Sequence, residues 1–149
     1  MNFFLRVLLT MSALSFIASP TVFARDTQLM VPIQAGLDSA IAKEKLDGSI
    51  KFYFAGQNQP KIAAPIKTDV SNRKTNSFGK SDQDACIWGF VSALIEFQKR
   101  AHELGADAVV NIESYYKKNS SPSATEFECH AGAIVAGVAL KGDFVKLAK

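Results

Sequence analysis

Thiols, imidazoles and carboxylates are the side chains that would carry chemistry in this chain, and few are spaced to act together. The densest group is Cys86, Cys129 and the adjacent His130. Thiolates with an imidazole suit zinc or copper(I), which makes these residues a candidate metal set. A strand holding Cys129 and His130 would point them to opposite faces, and no convincing fourth ligand accompanies them. Redox exchange between the cysteines needs a spacing such as Cys-x-x-Cys, which is absent. The sequence therefore predicts no metal and no cofactor, with Cys86, Cys129 and His130 kept as the alternative ligand set.

The remaining groups are weaker. Phe78-Gly79-Lys80-Ser81 stands before a helix, like the end of a phosphate-binding loop. The full motif needs glycine where Lys74 stands and a buried strand before it, so the reading is a turn followed by an N-cap. His102 lies on the polar side of the same helix near its C-terminus, where a protonated imidazole favours the dipole. Glu113, Glu126 and Glu128 fall near one hairpin, with 126 and 128 on a shared face. Paired carboxylates can do acid–base work, but solvated hairpin charges are far commoner. No catalytic residue is assigned, and the chain is read as no enzyme.

The elements that must position these residues follow from periodicity. Ser81 is a good N-cap, with Asp82 and Asp84 in the positive first turn. Ile87, Phe90, Val91, Leu94, Phe97, Ala101 and Leu104 then recur at helical spacing until Gly105, which predicts a long helix over 82–104. Trp88 and Ile95 widen its apolar face. Residues 26–33 read as extended, Asp38 as the cap of a short helix over 39–46, and 49–54 as a half-buried strand. Residues 55–80 read as a basic loop with room for a short edge strand over 62–70. Strands are expected over 108–116 and 125–140, with a turn at Gly142 and a last strand over 144–147. The small residues from Ala131 to Ala139 imply that the long helix packs close against that strand. The expected fold class is α+β: a small antiparallel sheet with one long helix packed on one face.

Residues 1–24 read as an export leader. Arg6 gives a charged start, Val7 to Ala18 is almost wholly apolar, and Val22-Phe23-Ala24 fits a signal-peptidase site. Cleavage between Ala24 and Arg25 would leave a single domain over 25–149. No cysteine lies near that site to accept a lipid, so the expected product is soluble, periplasmic or secreted. Two cysteines in an exported chain most often pair, so a Cys86–Cys129 disulfide is expected to tie the helix to the strand beneath it. The formal charge of +3 over the whole sequence is too mild for a dedicated polyanion binder. No nucleic-acid partner is expected, nor a membrane span after leader removal.

Several stretches resemble known proteins. Lys74 to Ser81, Gly105 to Ile112, Ser114 to Lys118 and Phe127 to Ala133 are similar to small exported proteobacterial proteins that commonly carry the label "excinuclease ATPase subunit". A DNA-repair ATPase needs nucleotide motifs and a cytoplasmic location that this sequence lacks, so the label transfers no activity. Residues 82–147 more distantly resemble the Rcs stress-sensor lipoprotein and the heavy-metal-binding YbjQ-like proteins. That resemblance implies a helix-on-sheet fold and a helix-to-strand disulfide. The lipid-accepting cysteine of the sensor is missing, so its anchoring and signalling do not follow. The expected function is non-enzymatic binding or envelope interaction, with another envelope protein as the expected kind of partner.

Overall fold

A computed structural model describes residues 24–149. The expected export leader over 1–24 falls, up to residue 23, outside the described residues. In chain order the elements are β1 (Thr27–Pro32), α1 (Ile33–Leu37), α2 (Ala40–Lys45), β2 (Lys51–Phe54) and β3 (Ile62–Asn76). They continue with α3 (Asp82–Leu104), β4 (Ala108–Ser114), a 3-10 turn (Tyr116–Lys118), β5 (Glu126–Ala131) and β6 (Val135–Leu147).

Helix α3 begins and ends where its sequence signals lie. The Ser81 hydroxyl accepts from the Asp84 amide at 3.0 Å, and Gly105 closes the helix in the left-handed region. Its buried stripe, Ala85, Cys86, Gly89, Phe90, Val91, Leu94, Phe97 and Ala101, lies across β3, β5 and β6. Gly89 permits the close approach, since a Cβ there would stand 3.2 Å from Val138 on β6. Trp88, expected to widen the apolar face, is instead 45% exposed. The short helix α2 is capped by Ser39, which accepts from the Ala42 amide, rather than by Asp38.

The sheet is six-stranded and mixed, not antiparallel throughout, because β2 runs parallel to β4. Strand β6 organises it. Strand β3 pairs with β6 from Val135 to Leu147, while β5 takes Ala136–Gly137 and β4 takes Leu140–Val145. A strand has two edges, so β5 and β4 must share the edge opposite β3. The expected single strand over 125–140 is broken at residues 132–134 into β5 and β6. Gly142, expected to turn the chain, sits inside β6. A Cβ there would lie 2.7 Å from Val109 and 3.2 Å from Ile112, so the glycine makes room for β4 side chains.

The largest correction is β3. The edge strand allowed over 62–70 is present but runs on to Asn76, so a 15-residue strand takes up most of the expected loop over 55–80. It lies at the sheet edge, which accommodates Pro65 within it. Its helix-facing side is sealed to α3 by charge rather than apolar packing. Asp69 accepts from Arg100 at 2.6 Å and pairs with Lys67 at 2.9 Å, while Glu96 pairs with Arg100 and with Arg73. Burial pushes the Asp69 carboxyl up, but hydrogen bonds from Lys67, the Val70 amide and Arg100 outweigh it and bring it down to about 2.

This network predicts an acid-sensitive edge. Above the ordinary value of 3.8, Asp69 is ionised in folded and unfolded chains alike and its contribution is complete. As pH falls from 3.8 toward 2, the unfolded chain takes up the proton first and the contribution is lost, about 2 kcal/mol in all. Urea unfolding of wild type and Asp69→Asn should differ by about that amount near neutral pH and converge near pH 2. A gap that persists unchanged at the acid end would mean the ion-pair network is not its source.

Candidate functional site

The face of the sheet away from α3 carries the candidate site. Strand alternation turns Cys129 toward α3 and its neighbour His130 the other way. The pairings align Gln28, His130, Gly137 and Lys74 in one row across β1, β5, β6 and β3. Gly137 leaves the middle of this row without a side chain. The result is an open cleft of about 530 Å³ with Gly137 on its floor, His130 and Tyr116 on one side and Lys74 on the other. Arg25 and the segment Gly132–Val135 line it too.

His130 is held firmly. Its Nδ1 lies 2.8 Å from Asp26 Oδ1 and its Nε2 2.7 Å from Glu128 Oε1. The Tyr116 ring stacks on it with centroids 3.5 Å apart and planes 9° from parallel. A doubly protonated ring donates to both carboxylates; a neutral ring donates to only one. The hydrogen bond from His130 is the main reason the Asp26 carboxyl sits below the usual carboxylate range. Lys117 adopts φ +49°, in the left-handed region, and places its ammonium 5.1 Å from the Tyr116 ring centroid and 3.9 Å from Asp26. A non-glycine residue in that conformation carries strain.

The first described residues close one end of the cleft. The Arg25 guanidinium makes two hydrogen bonds to Asp82, at 2.8 and 2.7 Å, and a third to the Gly132 carbonyl at 2.7 Å. Hydrogen bonding between the two partners raises the Arg25 pKa and lowers that of Asp82.

The other sequence-predicted residues do not join this site. Cys86 and Cys129 form a disulfide with an S–S distance of 2.01 Å, and both are fully buried beneath α3. The alternative metal set is therefore not assembled: the sulfurs are bonded to each other and His130 lies on the opposite face. Among the described residues no group of three or more His, Cys, Asp and Glu is placed to hold a metal ion. Glu113 pairs with Lys141, Glu128 with His130, and Glu126 is exposed, so the expected carboxylates take separate surroundings.

His102 does have partners that the sequence reading missed. Its Nε2 lies 3.1 Å from Ser49 Oγ and 3.6 Å from Asp47 Oδ2. The three residues are not wired as a hydrolytic triad. Asp47 approaches the same ring nitrogen as the serine, and Ser49 donates its hydroxyl to Asp47 rather than to the imidazole. Asp47 also accepts from the Ser49 amide at 2.9 Å, so the group is a turn that closes onto the end of α3.

In the cleft itself, sequence reasoning missed Asp26, Tyr116, Lys74 and the Arg25–Asp82 pair. The Glu128-x-His130 spacing on a strand was a usable signal, because such residues share a face. Asp26 had none, since only the β1–β5 register brings it there. Comparison with protein-family models, curated proteins and solved structures finds no match for the chain.

Proposed function

We propose that the protein is an exported, non-enzymatic binding protein of the bacterial envelope, and that the cleft over Gly137 takes a small molecule bearing an anionic group. One observation carries this reading: a built cleft whose only imidazole is already committed at both nitrogens to carboxylates. A ring so occupied is poorly placed to accept a substrate proton, which favours a positioning role over general-base catalysis. Of the cations around the cleft, Arg25 is paired with Asp82 and Lys117 with Asp26, so Lys74 is the one left, among the described residues, to meet an anionic group. The leader-like sequence, the disulfide and the resemblance to small exported proteins support export.

Two measurements test it. Intact mass of chain recovered from the periplasm, alkylated without reduction, should correspond to residues 25–149 with no alkyl adduct. An uncleaved or doubly alkylated chain overturns export or the bridge. For the cleft, titration with phosphate and with succinate should shift amide resonances at Tyr116, Lys117, His130 and Gly132–Gly137. Gly137→Leu should abolish the shifts by filling the floor, where a Cβ meets nothing closer than 4.0 Å. No response to either anion, or an unchanged response in Gly137→Leu, refutes the reading.

A further inference from the structure

Two turns meet at one pole of the sheet and present side chains that the fold does not bury. The turn after β3 carries Phe78, 76% exposed, and the turn between β5 and β6 carries Ile134 at 63%, next to Val135 at the start of β6, at 42%. The Ser77 amide donates to the Ile134 carbonyl at 3.0 Å, fixing the two turns to each other. Trp88, on the first turns of α3, is 45% exposed and lies under Lys80, whose ammonium stands 5.7 Å from the indole centroid. Lys74 lines the same depression as Phe78, Ile134 and Val135. Neither Lys74 nor Lys80 takes part in an ion pair among the described residues. Of the nearby acids, Asp82 is paired with Arg25, while Asp84 accepts from the Ser81 hydroxyl at 2.7 Å and keeps its charge; the Lys80 ammonium donates to the Asn76 carbonyl at 2.9 Å.

We propose that this pole docks on anionic phospholipid bilayers, with Phe78, Trp88, Ile134 and Val135 entering the interface while Lys74 and Lys80 meet headgroup phosphates. Aromatic and aliphatic side chains ringed by lysine match the chemistry of that boundary, where apolar contact and charge attraction act together.

The single tryptophan of the sequence is its own reporter. The oxidised chain recovered from the periplasm is mixed with vesicles of phosphatidylglycerol and phosphatidylcholine, or of phosphatidylcholine alone. Expected are co-sedimentation and a blue shift of Trp88 emission with the anionic vesicles, both weakened by salt. Lys74→Gln with Lys80→Gln should weaken that binding about 25-fold, roughly fivefold for each cation near the surface. Phe78→Ser with Ile134→Ser should remove the emission shift, and circular dichroism checks that these surface variants stay folded. Lys80→Gln alone, at a residue that does not line the cleft, should weaken vesicle binding and leave the anion-induced shifts of the cleft intact, which separates the two readings. No sedimentation, equal binding to neutral vesicles, unaffected pole variants, or a matching shift with free glycerol phosphate would each overturn the proposal.

Discussion

Phe90→Ala is expected to lower the unfolding free energy by about 3–5 kcal/mol, the usual cost of deleting a buried phenylalanine. Phe90 is where the small elements are joined to the long helix. Its ring stacks on Phe127 of β5 at 4.1 Å and 12°, and on Phe54 of β2 at 5.8 Å and 26°. Helix α1 lies against its edge, since a Cβ on Gly36 would stand 2.5 Å from Phe90 Cδ1. Truncation thus opens a cavity bordered by α1, β2, β5 and α3 at once. It also removes aromatic contacts worth about 0.5–1.5 kcal/mol beyond burial. The backbone of α1 is already in contact, so collapse onto the void is limited. Urea unfolding followed by far-ultraviolet circular dichroism measures the effect. Trp88→Ala is the control on the same helix: it deletes a larger side chain, yet one nearly half exposed, and should change stability by about 0.5 kcal/mol or less. Comparable losses for the two variants would show that Phe90 is not the joint described here.

The same contrast explains what was legible in the sequence. Helix α3 was readable to the residue because local signals agree: Ser81 caps it, apolar residues repeat at its period and Gly105 ends it. Trp88 was misjudged because periodicity ranks side chains by type, whereas exposure depends on what lies opposite. Strand β3 was hidden for a different reason. Its helix-facing positions include Asp69, Ser71, Arg73 and Thr75, of which Asp69 and Arg73 meet α3 through ion pairs, so the alternation of apolar residues that marks a half-buried strand is missing. Gly142 misled in the opposite direction, because a glycine that clears space for Val109 reads the same as one that bends the chain. The candidate site was half readable. Glu128 and His130 share a face by local rule, but Asp26, Lys74 and Gly137 reach them only through the pairing of four strands. The break at residues 132–134, which decides that pairing, leaves no clear mark in a run of small residues.

Removing the disulfide is expected to cost about 4 kcal/mol, from a 43-residue sequence separation in the chain-entropy model. The loss should be uneven. Strand β5 is paired to β6 through only His130↔Gly137 and Ala131↔Ala136, whereas β3 follows β6 for nearly its whole length. Strand β1 in turn is hydrogen-bonded to β5. Besides the short β6 pairing, the β1–β5 ribbon is held by the Phe127 contact with Phe90, the Tyr116 stack on His130, the Glu128 amide bond to Ser114 Oγ, the Arg25–Asp82 pair and the Cys86–Cys129 bond to α3. With Cys86→Ala and Cys129→Ala, amide exchange should quicken first in Thr27–Pro32 and Glu126–Ala131, ahead of β3, β4 and the body of β6. The cleft is affected with them, because the ribbon supplies Asp26, Glu128 and His130. Anion-induced resonance shifts in the cleft should then weaken under conditions where α3 and β6 remain protected. Equal loss of protection across all strands would mean that the ribbon and the rest of the sheet open as one unit, with the disulfide stabilising the whole rather than the site. An unchanged urea midpoint in the double variant would mean that Phe127, Ala131 and the short ladder hold the ribbon without it.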